Sequence, residues 1–296
     1  MAAAIFWVYR ADTAAPSNQA TLTPVPSISY QHPNHIHGLG YDNLNLRLFV
    51  ATHHGIFVWK EGRLFQLGDN RDDYMGFSLH PSNPKIIYTS GHPSGGGNMG
   101  VMKSEDGGIS FARIFHGLKG ESVDFHAMVI SPANPNILYG WFEGKIYRSK
   151  NGGKNWTLAA ARGLPERGGF CFGAACLAPD NRDERLLYAG TPEGLFVSRD
   201  FGENWSAVNR EGAFAGIEVD PADARRLFAF TQKWGLALSS DGGKNWQTKD
   251  KGITLRPGEP IFAFAFDSKD SKHIFAATPE RVFQSSNRGE SWEKIL

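Results

Sequence analysis

The first chemical signal in the chain is its histidines. There are ten, and nine of them precede residue 127: His32, His35, His37, His53, His54, His80, His92, His116 and His126. His35 and His37 form a His-x-His pair, which on an extended strand turns both rings to one side and lets them chelate one ion. Asp73-x-Met75 and Asp124-x-His126 repeat that spacing. Imidazole with thioether, and a thiolate if Cys171 joins, selects copper before the hard ions, with zinc second. The expected ligands are His35, His37, His53, His54, His92 and His126, with Met75 as a soft or axial one. Asp73 and Asp124 either ligate or accept ring N–H bonds that orient the ligands. Met99, beside His92 in the flexible Gly-rich stretch GHPSGGGNMG, and Cys171 complete the set within reach. The competing reading of Cys171 is a small buried hydrophobe. For the histidines it is an ordinary polar lining of a wet cavity mouth.

Such residues need a scaffold to converge. With 296 residues, 41% hydrophobic and 21% charged, the chain has the composition of a large globular core, and its net charge of +1 gives no reason to expect nucleic acid or an acidic membrane as partner. The 34 Gly and 16 Pro point to short strands joined by many turns. Residues 2–9 (AAAIFWVY), closed by Arg10, are too short to span a bilayer, which needs about 20 apolar residues. They read as a truncated signal peptide or anchor, followed to residue 30 by a disordered stalk. The alternative is a short edge strand. The folded domain is then 31–296, periplasmic or extracellular, touching a membrane only through the lost anchor. Cys171 and Cys176, five apart on one strand, stand roughly 16 Å from each other, too far to bridge.

Internal repetition decides the architecture. Five octets share one pattern: SEDGGISF from Ser104, SKNGGKNW from Ser149, SRDFGENW from Ser198, SSDGGKNW from Ser239 and SSNRGESW from Ser285. In each, Ser and Asp or Asn bond the turn backbone, Gly supplies a positive φ and an aromatic ring buries against the sheet. Their spacing is that of one four-stranded propeller blade per repeat. The octets resemble the Asp-box, or BNR, repeat of sialidase-like propellers, which include sortilin-type receptors, some glycoside hydrolases and photosystem II assembly-factor relatives. The resemblance covers about residues 35–296 and implies an all-β propeller. It is nearly silent on function. Six first strands, starting at His35, Asp73, Asp124, Cys171, Ala213 and Pro260, predict six four-stranded antiparallel blades. One aligned column holds only Gly38, Gly76, Ala127, Ala174, Gly216 and Ala263, as crowded inner strands require. Blade one lacks an Asp box. SWEKIL supplies the last strand of blade six, so closure is expected from packing of blade one on blade six.

On that frame eight of the ten histidines fall on the top face of blades one to three, with His80 and His273 at bottom turns. The expected function is an exported, copper-preferring metal-binding propeller, in copper handling or copper-dependent redox chemistry. One alternative is a metal-free binding or assembly propeller that contacts a protein partner through its top face, with Trp141, Phe142 and Trp234 as the surface. Another is a glycoside hydrolase using Asp73 and Asp124. The arginine triad that the resemblance to sialidases would require is missing from the six first strands.

Overall fold

The computed structural model describes residues 22–24, 35–118, 120–165 and 176–296. Short runs of alternating apolar residues, punctuated by Gly, Asn and Asp turns, build six antiparallel sheets in chain order around one axis, and the described residues contain no α-helix. Blade one comprises Ile36–Asp42, Arg47–Thr52, Gly55–Lys60 and Arg63–Leu67. Blade two comprises Asp73–Leu79, Ile87–His92, Val101–Ser104 and Ala112–Phe115. Blades three to six begin with inner strands Ala127–Ile130, Leu177–Pro179, Phe214–Val219 and Ala263–Phe266, each followed by three more strands moving outward.

The core is divided into six apolar clusters, one in each seam between neighbouring blades. The seam that closes the ring packs Ile36, Leu39 and Phe57 of blade one against Phe262, Phe275 and Val282 of blade six. Ile36 N donates to Pro279 O at 2.8 Å across the same seam. Closure therefore rests on packing, as expected, and blade six takes all four of its strands from the C-terminal end. The N-terminal side departs from expectation. Leu22–Pro24, inside the supposed stalk, adds a fifth strand to the outer edge of blade one, antiparallel to Arg63–Leu67. Leu22 packs on the seam between blades one and two. The remaining residues assigned to the signal or anchor lie outside the described residues.

The small column is real but shifted in blade four. Leu177 pairs with Ala189 as Ile217 pairs with Ala229, which places Cys176, not Ala174, level with Gly216. Cys176 is disulfide-bonded, and no free cysteine occurs among the described residues. The expectation that the two cysteines cannot bridge assumed one extended strand through both, whereas the strand starts at Leu177. Elsewhere the column is as tight as predicted: a Cβ on Gly76 would run into the backbone oxygen of Phe125 in the next blade.

All five octets close as Asp-box turns. In the fifth blade Ser239 Oγ donates to Asp241 Oδ1 at 2.8 Å and accepts from Gly243 N at 2.9 Å, and Trp246 Nε1 donates to Gly243 O at 2.9 Å. Hydrogen bonds from the backbone and side chain of Asn245 hold the Asp241 carboxyl down at about 2. Gly243 has a φ of 90°, and a Cβ there would meet Leu195 and Leu227, so the turn also fills the seam with blade four. Gly243→Ala is expected to cost about 1–3 kcal/mol through backbone strain and overpacking. Thermal melts should show this as a loss of roughly 3–10 °C in Tm.

Candidate metal centre

The top rim is built from the starts of inner strands and the loops joining second to third strands. His35 has a left-handed φ of 54°, and the register of Ile36–Asp42 against Arg47–Thr52 slips between Ile36 and Gly38, leaving His37 as the extra residue of a β-bulge. A bulge re-aims its side chain, here into the rim. His53 N donates to His35 O at 3.3 Å, tying the second loop of blade one to the strand start. One ring nitrogen from each of His35, His37 and His53 lies within 4.8 Å of the others. The rings of His37 and His53 meet edge to face at 4.4 Å, and those of His35 and His53 stand 4.9 Å apart.

Asp73, from the start of blade two, backs this triad. Its Oδ2 accepts from His53 Nδ1 at 2.7 Å, which leaves Nε2 as the lone-pair nitrogen of that ring. Its Oδ1 lies 3.3 Å from His37 Nε2 without hydrogen-bond geometry, and both atoms are buried and unpartnered. A cation placed between the two atoms would satisfy both. Burial lowers the His37 imidazole, more than the Asp73 carboxylate raises it, so the ring is held in the neutral form that binds metal. Burial opposes ionisation of Asp73 too, but the two imidazoles outweigh it and keep the carboxyl below its usual range.

A second group stands one blade further round. His92, Asp124 and His126 also bring three ligand atoms within 4.8 Å of one another. Asp124 Oδ2 is 3.1 Å from His92 Nε2 and 2.5 Å from His126 Nε2. The hydrogen bond to Asp124 raises the His126 imidazole above its usual value, against the opposing effect of burial. Asp124 is 3% exposed, and its Oδ1 has no partner. The single site expected from sequence is thus two groups.

The other expected ligands fare unevenly. Met75 is half-buried at the bulge of blade two, the counterpart of His37. His54 is exposed and 6.5 Å from His53 ring to ring, outside both groups. Met99 is a correction: it is 3% exposed in the seam between blades one and two, packed with Phe49, Tyr74 and Phe77. The Gly-rich stretch that carries it is anchored, not loose, by Ser94 N to Asp72 Oδ1 at 2.8 Å and Asn98 Nδ2 to Ser122 O at 2.9 Å. Cys171 and His32 lie outside the described residues. His116 is exposed and is held by Ser122 and Arg113. Trp141, Phe142 and Trp234 are half-buried against their seams.

One ionisable residue escaped the sequence. The bottom of the channel opens as a cavity of about 450 Å³ ringed by the ends of all six inner strands, and Glu218 lines it. Desolvation pushes its carboxyl up to about 8, although its side chain keeps some contact with channel water. Its counterparts in the other blades are Gly40, Ser78, Val129, Ala178 and Ala265, so no pattern announces it.

No family model matches the chain. It is 32% identical over 202 residues to a xyloglucanase of a Paenibacillus species, covering 61% of this chain and 18% of that one. To sortilin of Rattus norvegicus it is 24% identical over 213 residues, covering 66% and 24%. Among solved structures, the GH74 xyloglucanase of Xanthomonas campestris shares the fold with a TM-score of 0.58 and 15% identity, over 94% of this chain and 56% of that one. The chain spans about a fifth to a quarter of the length of these curated relatives. It is a β-propeller, similar in sequence to sortilin and to xyloglucanases.

Proposed function

We propose that this propeller binds a transition-metal ion at its top mouth, copper before zinc, and serves in copper handling or copper-dependent redox chemistry outside the cytoplasm. The observation that carries the reading is the His35–His37–His53 triad with the buried, unpartnered His37 Nε2 and Asp73 Oδ1 beside it. With Met99 in the core and no free cysteine among the described residues, the donors are imidazole and carboxylate, with Met75 as the one thioether at the rim. That set, dominated by imidazole, suits copper(II), the tightest-bound of the divalent series. The disulfide at Cys176 supports an oxidising compartment. The test is metal content of untagged protein by mass spectrometry, then electron paramagnetic resonance of the copper(II) form. Near-stoichiometric copper or zinc, with hyperfine coupling to several imidazole nitrogens, is expected. Metal no higher than in a control protein sinks the reading.

The likeness to a xyloglucanase favours glycoside hydrolysis as the second reading. Against it, Asp73 and Asp124 are each engaged by two imidazoles. Turnover of xyloglucan oligosaccharides that disappears in Asp124→Asn, with the fold intact, reverses the ranking.

A further inference from the structure

We propose that the top mouth holds two ions, the second in the His92–Asp124–His126 group, a site of two imidazoles and one carboxylate for a divalent ion such as zinc(II). This rests on the metal reading above and extends it to a separate centre. The two groups share no residue, and each brings its three ligand atoms within 4.8 Å.

Hydrogen-bond accounting at the second group leaves a place for a cation. His92 Nδ1 lies 2.9 Å from Gly97 O, which can only accept, so this nitrogen carries the ring's hydrogen. Nε2 then faces a carboxylate oxygen at 3.1 Å and is the ring's free position for an ion. Two ligands held tetrahedrally at about 2.0 Å from one ion stand about 3.3 Å apart, close to that spacing, whereas Asp124 Oδ2 and His126 Nε2, hydrogen-bonded at 2.5 Å, move apart by less than about 1 Å to share the ion. No Lys or Arg forms an ion pair with Asp124 among the described residues, although the side chain is buried. Both imidazoles contact Oδ2, so Oδ1 is left buried without a partner, and a bound divalent ion would offset the cost of burying the carboxylate.

The two centres are joined by one hairpin. Asp73 and His92 are direct cross-strand partners in blade two, and Cβ atoms in such pairs are about 5 Å apart. Asp73 reaches the histidines of blade one, while His92 reaches Asp124 and His126 of blade three. The first site is rich in nitrogen and backed by a carboxylate. The second has three protein ligands and half-exposed imidazoles, which leaves a coordination position for water or a substrate oxygen.

The experiment strips untagged protein with a chelator, equilibrates it with excess zinc(II), removes free metal and measures zinc per chain by mass spectrometry. Two per chain is expected for the parent, with one each for His126→Ala and His53→Ala. One per chain in the parent overturns the second site and leaves the proposed function standing; none overturns both. Two per chain in His126→Ala also overturns it. Should a variant fail to fold by circular dichroism, cobalt(II) titration of the parent decides. Two successive equivalents with different visible spectra support the proposal, and a single break at one equivalent refutes it.

Discussion

Replacing Asp73 with asparagine is expected to weaken metal binding at the proposed first site by about 10- to 100-fold, the usual effect of removing a carboxylate that orients ligating imidazoles. Asp73 Oδ2 accepts the His53 Nδ1 hydrogen at 2.7 Å, and that bond leaves Nε2 free for the proposed ion. An asparagine offers an oxygen of the same shape without the charge, so the ring keeps its place but donates less electron density. The negative charge that would neutralise the proposed ion is lost as well. Competition with a chromophoric chelator measures the change, and circular dichroism checks the fold. His54→Ala provides the contrast: its exposed ring lies outside both groups, and its affinity should match the parent. Equal affinities for Asp73→Asn and the parent would show that the triad binds without its carboxylate backing.

The fold was legible because its signal is local. Each Asp box specifies its own turn through Ser, Asp or Asn, Gly and an aromatic ring, and five copies at blade spacing leave one architecture. Register was legible only where the pattern is unique. In CFGAACLAPD small residues occupy neighbouring positions, so blade four fits two registers, and the strand pairing shows that Cys176 takes the inner column. The convergence of His35, His37 and His53 was readable from spacing, but its mechanism was not. Regular alternation would have placed the first two rings side by side, whereas a left-handed residue and a bulge do so here. Neither has a sequence signature when the residue involved is a histidine. Met99 was misplaced for a related reason: glycines imply freedom, yet hydrogen bonds across loops anchor the stretch and sink its one large apolar side chain. The split into two groups depends on which way Asp73 and His92 reach from one hairpin, which no linear pattern encodes.

Glu218→Gln makes the protein more stable at pH 8 and leaves it nearly unchanged at pH 4. The sign follows from the direction of the shift. In the fold the carboxyl titrates at about 8, because desolvation at the end of an inner strand disfavours the charge, against an ordinary value of 4.5 in the unfolded chain. Below 4.5 both states hold the proton and no stability depends on it. Between 4.5 and about 8 the unfolded chain releases a proton that the fold retains, so native stability falls as pH rises, and above 8 the full cost is reached. Contact with the water of the 450 Å³ cavity tempers that cost, to the order of 2 kcal/mol. Glutamine has the same shape and cannot ionise, so it removes the penalty without opening a cavity. Thermal melts of parent and variant from pH 4 to pH 9 should diverge progressively above pH 5, by roughly 4–8 °C at the alkaline end. Parallel melting curves across the range would mean that Glu218 ionises normally in the channel. Glu218 lines the cavity and belongs to neither histidine group, so stability can be raised there without touching a proposed ligand.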